Sequence, residues 1–286
     1  MAITDNYEKR RLAMMGIILF LLLAGAVIFA YFLNSSKKGP SALQFGATSR
    51  PPDPSYPSQI IDLASWKLTL PIISSDSKNG SQPLDIRQPE LSGYEMKPWY
   101  GLTPDKKGVF FRAPVNAPTT ANSDYPRTEL REMAATEDGQ QKEAFWPSVS
   151  GTHTLFLDQA ITAVPKNKPD IVAGQIHGDD DDLIVVRLEG DHLFLARGGS
   201  DLATLDENYT LGKRFTVRFV ARDGKIMVYY NNSPSPVYTL EKEVNEAYFK
   251  AGAYTQSNCE TEESPGLCSA DNYGEAVIYK ITVTHE

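Results

Sequence analysis

The chain is short of the residues that announce most chemistries. It holds only two cysteines and four histidines in 286 residues. Cys259 and Cys268 stand alone in one stretch and the histidines are scattered, so no zinc ligand set can be assembled from spacing. An excess of cations is missing too. Lys and Arg number 28 against 36 Asp and Glu, a net charge of −8, which argues against nucleic acid as partner because phosphate binders present a basic surface. A smaller anionic ligand is still permitted, since the local field in a cleft decides that. No Gly-x-Ser-x-Gly elbow, P-loop or His-Glu-x-x-His occurs, so serine hydrolysis, nucleotide chemistry and zinc proteolysis lose their usual support. The obvious carboxylate cluster, Asp179 to Asp182, is an unbroken run beside Gly178. It lacks the spacing of a calcium loop and is not the flanking pair that glycoside hydrolysis needs; it reads as a solvated loop. No metal or cofactor is expected.

One long apolar run is present. After a short basic segment (1–11) containing Lys9, Arg10 and Arg11, residues 12–33 are uncharged for 22 positions. As a helix the run spans roughly 33 Å, enough to cross a bilayer. A transmembrane or signal-anchor helix is therefore expected. A cleaved signal peptide is the rival, although its apolar region is usually about 7–15 residues. The basic flank favours a cytoplasmic N-terminus by one charge over Lys37 and Lys38. Residues 34–58, rich in Pro and Ser, read as a tether. Residues 59–286 then form one domain outside the cytoplasm, membrane-anchored or, if the run is cut, secreted; a monomer is expected. Cys259 and Cys268 are able to pair in an oxidising compartment, closing a small loop.

The remainder is a series of short β-rich runs with no amphipathic helix beyond two or three turns, the pattern of an all-β sandwich. Strands are expected over 66–70, 109–113, 127–133, 152–157, 172–177, 184–188, 192–196, 215–222, 225–231, 248–255 and 276–284. Asp223-Gly224 is the strongest hairpin signal, and Glu189-Gly190-Asp191 a second, with Gly190 free to take a positive φ. Both turns imply antiparallel neighbours.

Three of these runs alternate polar and apolar positions: Arg127-Thr128-Glu129-Leu130-Arg131, Gln175-Ile176-His177, and Tyr248 to Gln256. Side chains of a strand point alternately to its two faces. Arg127, Glu129 and Arg131 therefore share one face, as do Gln175 with His177, and Lys250 with Tyr254 and Gln256. Leu130, Ile176, Phe249, Ala251 and Ala253 take the other face, toward a core. Side by side, such strands build a patch of Arg, Lys, Gln, His and Tyr suited to an anionic, hydroxyl-rich ligand.

Without a metal or a carboxylate pair, that set fits proton abstraction beside a carboxylate. The C5 hydrogen of a uronic acid leaves only if the second negative charge it creates is met by donors already in place. Arg127 can fork onto the carboxylate and Gln175 can donate its amide. His177 suits the base, since imidazole ordinarily titrates near about 6.5. Tyr254 suits the acid for the leaving glycosidic oxygen, or the base where neighbouring cations favour a phenolate. Such an elimination leaves an unsaturated uronate.

The three segments match the R-T/S-E-L-R, Q-I-H and Y-F-K-A-G-x-Y-x-Q signatures, and the domain resembles the alginate lyases of polysaccharide lyase family 7. Asp62-Leu63-Ala64-Ser65-Trp66-Lys67-Leu68-Thr69-Leu70-Pro71 also looks like the usual opening of that domain, so the resemblance covers 59–286. It implies a β-jelly roll of two antiparallel sheets whose concave sheet holds the polysaccharide. It also implies Arg127 and Gln175 as carboxylate neutralisers, His177 as base and Tyr254 as acid, with Tyr254 serving both steps on mannuronate. Ile176 in the family's variable position points to polyguluronate or mixed blocks. An endo-acting enzyme is the leading expectation. Asn122, Tyr125, Glu129, Arg131, Lys250 and Gln256 are the expected substrate contacts, with Glu129 an ion-pairing strut. Tyr248 stacks or packs. Trp99 and Trp146 either stack on sugars or pack in the core, and His153, His192 and His285 are structural. A lyase for another polyuronate such as glucuronan, or a binding module that has lost turnover, are the alternatives.

Overall fold

Alternating apolar side chains punctuated by turn residues draw the chain into two stacked antiparallel sheets. The computed structural model describes residues 53–77, 82–121, 123–136, 140–178 and 181–286. The expected helix at 12–33 and most of the tether lie outside them, as do Asn122, Asp179 and Asp180. No helix among the described residues is long and apolar enough to cross a membrane.

The strands among the described residues are β1 (Trp66–Ile73), β2 (Pro83–Ile86), β3 (Tyr100–Leu102), β4 (Val109–Pro114), β5 (Arg127–Ala135), β6 (Gln141–Glu143), β7 (His153–Ala163), β8 (Asp170–Gly178), β9 (Asp181–Glu189), β10 (His192–Arg197), β11 (Ser200–Asp206), β12 (Phe215–Arg222), β13 (Lys225–Tyr230), β14 (Tyr238–Glu241), β15 (Ala247–Thr255) and β16 (Tyr273–His285). One sheet runs β11-β10-β9-β8-β15-β5-β1-β2, with β6 added to β5. The other runs β14-β13-β12-β7-β16-β4-β3. This is the layering of a jelly roll. All the expected strands are present, most of them longer than the sequence pattern shows. Asp223 and Gly224 turn β12 into β13 with φ of 52° and 70°, and Gly190 takes φ 64° between β9 and β10.

Leu68, Leu130, Ile176, Phe249, Ala251 and Ala253 are fully buried in the core between the sheets, where they meet Leu155, Leu157, Val217 and Phe219. Each large apolar side chain there stabilises the fold by about 1.5–3 kcal/mol. Trp146 belongs to this core, buried and not free to stack on a sugar, and half-buried Trp99 packs against it. His192 stacks on Phe194, and the exposed His285 bridges the buried His153 and Glu132 behind β5.

Two irregularities change which residues share a face. Lys250 lies opposite Gln175 but Tyr254 lies opposite Val172, four residues along β15 against three along β8. Gly174 (φ +128°) and Gly252 (φ +136°) sit at this bulge. At Gly252 an added Cβ would stand 2.6 Å from the Thr128 carbonyl oxygen, so any larger residue would force the strands apart. Past the bulge Val172 joins Val185, Phe194 and Ala196 in an apolar patch on the outer face, and Tyr254 packs against it. A second bulge places Asp182 opposite His177, with Ile184 opposite Ile176.

Candidate active site

Arg127, Glu129 and Arg131 occupy the middle of the first sheet because β5 is flanked by β15 and β1. Register does the rest: Tyr254 lies opposite Arg127, Gly252 opposite Glu129 and Lys250 opposite Arg131. On the far side of β15, Tyr248 lies opposite His177 and Lys250 opposite Gln175. The three motifs therefore meet on one face.

Glu129 organises them. Its carboxylate accepts from Arg127 Nη1 at 3.0 Å, Lys250 Nζ at 2.9 Å and Gln175 Nε2 at 2.6 Å. Burial alone would raise its pKa, but Lys250 and Arg127 hold it below the ordinary carboxylate value. Two cations against one anion leave this buried triad with one net positive charge, although the whole chain carries −8. Burial and the nearby Arg127 guanidinium lower the Lys250 pKa. Glu129 thus makes the ion pairs expected of a strut, and it also borders a hollow.

Gln175 is fully buried, with one amide hydrogen committed to Glu129 and its Oε1 without a partner. Arg127 is only 8% exposed and its Nε is also unpartnered. The Arg127 guanidinium lies 3.9 Å from the Tyr254 ring centre, a cation–π contact. His177 stacks on Tyr248 with ring centres 5.0 Å apart. Burial, then the positive charge of Lys250, lowers the His177 pKa to about 4. The imidazole is accordingly neutral at pH 7.

Apart from Gln175, which lies buried behind them and borders neither, these residues border two adjoining hollows of about 510 and 370 Å³ that share Thr120, Arg127, Tyr248 and Lys250. The first contains His177, Tyr254 and Ser123; the second continues along Arg131, Lys67 and Phe145. Arg131 reaches over the Tyr248 ring at 4.1 Å and toward Glu143 at 3.4 Å. Tyr125 and Gln256 border neither hollow. Tyr125 instead accepts a hydrogen bond from Lys168 at 3.0 Å. A larger hollow of about 880 Å³ opens on the other sheet, but its Arg112 and Glu275 already pair at 2.7 Å, and none of the three motifs reaches it.

Two site residues escape the sequence pattern. Asp182, expected in a solvated loop, instead lies in β9 with Oδ1 3.6 Å from His177 Nε2; burial raises its pKa. The bulge in β9 carries it there, and only its nearness in sequence to Gln175-Ile176-His177 hinted at this. Ser123 precedes β5, and its Oγ lies 3.0 Å from both Tyr254 Oη and Arg127 Nη2. Nothing but its position before Arg127 signals it. Asn258 Nδ2 ties the neighbouring Asp124 carbonyl to the loop that the Cys259–Cys268 disulfide closes. Among the described residues no cluster of His, Cys, Asp and Glu has the arrangement of a metal site.

Comparison with known proteins matches this geometry to one family. A family model described as alginate lyase matches residues 61–285. The structure of alginate lyase AlgAT5 from polysaccharide lyase family 7 is similar at 48% identity and a TM-score of 0.72, covering 81% of this chain and 99% of that one. The alginate lyase of a Corynebacterium species is similar at 44% identity and a TM-score of 0.73, covering 81% and 98%. An alginate lyase of Klebsiella pneumoniae is 26% identical, over 88% of this chain and 98% of its own length. The chain belongs to the alginate lyase family, polysaccharide lyase family 7, and is a polysaccharide lyase.

Proposed function

We propose that the domain cuts alginate within the chain by β-elimination, accepting polyguluronate or mixed blocks, with Arg127, Gln175, His177 and Tyr254 carrying the reaction. The observation behind this reading is the convergence of a neutral imidazole, a phenol and a net positive Arg–Lys–Glu triad on one hollow. Arg127 meets the uronate carboxylate, and Gln175 adds the second hydrogen of its amide, so the charge that grows as C5 loses its proton is met by fixed donors. His177 Nε2 takes that proton. The C5–H electrons become the C4=C5 double bond, the C4–O4 bond breaks, and O4 receives the Tyr254 proton. The imidazolium formed on His177 then faces Asp182, a charge partner already near.

The second hollow supports binding of more than one sugar unit, as an internal cut requires. Ile176 is fully buried on the core side of β8, so any effect on block preference passes through the placement of Gln175 and His177. The uncharged run 12–33 supports anchoring of the domain outside the cytoplasm, and the Cys259–Cys268 disulfide fits an oxidising compartment. Incubation of the domain with polymannuronate, polyguluronate and polyglucuronate, followed by ultraviolet absorbance of the unsaturated product and product sizing, tests the reading. Absorbance rising fastest on polyguluronate with a spread of oligomers is expected. Turnover of polyglucuronate alone would move the substrate, and monomer as the sole early product would overturn the endo mode.

A further inference from the structure

We infer that Ser123 is a positioning residue for Tyr254, its hydroxyl accepting a hydrogen bond from the neutral phenol and turning to donate one to the phenolate left after proton transfer. The inference rests on the proposed role of Tyr254 as acid. Four groups surround Ser123 Oγ: Tyr254 Oη and Arg127 Nη2, each at 3.0 Å, the Tyr125 carbonyl oxygen at 3.1 Å and the Tyr125 amide at 3.4 Å. The directions follow from what each can do. Arg127 only donates and the carbonyl only accepts. If the Ser123 hydrogen goes to the carbonyl, its two lone pairs take the nearer donors, Arg127 and the Tyr254 hydroxyl at 3.0 Å, and the Tyr125 amide at 3.4 Å is the weakest of the four contacts. That arrangement fixes the phenol oxygen before substrate arrives; the phenol has one hydrogen, which turns from Ser123 to O4 for the transfer.

When Tyr254 gives its proton to O4, the phenolate needs donors. The Arg127 guanidinium lies against the ring face at 3.9 Å and so opposes the charge without a bond along the oxygen's lone pairs. Rotation about the Ser123 Cβ–Oγ bond swings its hydrogen from the Tyr125 carbonyl to the phenolate oxygen. No bond to hydrogen breaks on Ser123; only the direction of its O–H changes. The transferred proton is on O4, and the balance of the elimination is unaltered. Tyr254 can then be reprotonated for the next cycle with Ser123 still in contact.

The test compares wild type, Ser123→Ala, Ser123→Thr and Tyr254→Phe on polyguluronate, with calorimetric affinity for an alginate tetrasaccharide measured on Tyr254→Phe with and without Ser123→Ala. Ser123→Ala is expected to lower kcat about 10- to 100-fold with KM within about twofold, and Ser123→Thr, which keeps the hydroxyl, to recover most of the loss. The affinity of the Tyr254→Phe protein should not change when Ser123 is also replaced. A kcat within twofold of wild type in Ser123→Ala overturns the inference. So does weaker tetrasaccharide binding in the double variant, because Ser123 would then act through Arg127. Near wild-type turnover by Tyr254→Phe would instead remove the acid role of Tyr254, a failure of the parent reading that no Ser123 result can mimic. Melting temperatures of all five proteins separate misfolding from lost chemistry, and Ser123→Gly, which also lacks the hydroxyl and carries the same expected loss of kcat, takes over the test if the Ala variant fails to fold.

Discussion

Strand β5 carries two buried carboxylates three residues apart, and they do different work. Glu129, on the outer face, collects Arg127, Lys250 and Gln175. Glu132, on the inner face, collects Trp146 Nε1 at 3.0 Å, the Phe249 amide at 2.9 Å and His285 Nε2 at 2.6 Å. Both are about 1% exposed, so burial does not distinguish them. Their partners do. Arg127, Lys250 and Gln175 each keep donors beyond the one given to Glu129, and two of them border a hollow. The Trp146 and Phe249 donors have one hydrogen each, and the other nitrogen of His285 is taken by His153, whose Nε2 meets the Ser150 carbonyl. The Glu132 cluster is closed. It fastens the C-terminal strand β16 to β5 and to the β15 backbone between Tyr248 and Lys250, and has nothing left for a ligand.

The comparison breaks most sharply at the open cluster's reacting groups. Tyr254→Phe and His177→Ala are each expected to lower kcat on polyguluronate by about 10²–10⁴-fold, with melting temperature nearly unchanged, since neither removes a buried charge. Wild-type-like kcat in either would detach that residue from the chemistry. The two carboxylates come next. Glu132→Ala orphans two buried donors and should lower unfolding free energy by about 3 kcal/mol in urea titration, with the loss of kcat limited to what loosening of β15 causes. Glu129→Ala leaves Arg127 and Lys250 without their counter-charge, a change of about 3–5 kcal/mol when a buried pair is broken, and should weaken alginate binding as well by releasing three donors from their positions. Equal loss of binding in the two variants would erase the distinction between open and closed clusters.

The same comparison shows where the sequence pattern carries information. The motifs' faces were legible because alternation holds over β5 and over β15 from Tyr248 to Tyr254: Leu130, Phe249, Ala251 and Ala253 are buried in the core as expected. Alternation fails at bulges. Nothing in the letters around Gly174 says that Val172 rejoins the outer face, nor that Asp182 will stand opposite His177. The strands that went unseen are β2, β3, β6, β11 and β14, and each is a sheet edge or, for β6, an addition to one strand. An edge strand pairs on one side and is covered incompletely, so β11 and β14 contain no buried residue; β11 shows no period of two, and β14 alternates only between half-buried and exposed positions over four residues. Ser123 was hidden for another reason: its role comes from a contact across 131 positions, which no local pattern encodes. The Glu132 cluster likewise joins His285 to β5 across 153 positions.

The smallest effect expected concerns pH, and it separates His177 from the histidines of the closed cluster. Burial and Lys250 depress the His177 pKa from 6.5 to about 4, so the imidazole stays a competent base well into acid. The acid limb of kcat/KM, which reports the free enzyme, should therefore fall near pH 4 rather than near 6.5. Stability has the matching sign. The unfolded chain takes up the imidazole proton at about 6.5 and the folded protein only near 4, so the His177 contribution is intact above pH 6.5 and is lost as pH falls from there toward 4. His153 is also depressed by burial and titrates in the same direction, while Asp170 and Asp182 are raised by burial and oppose the trend. A difference between wild type and His177→Asn in urea titrations at pH 7 and pH 5 cancels the His153 and Asp170 terms and leaves that of His177 together with its coupling to Asp182. The wild type should lose more stability than the variant over that interval. An equal loss would mean that the folded site admits the proton as readily as water does, and a kcat/KM limb near 6.5 would say the same of the base in action.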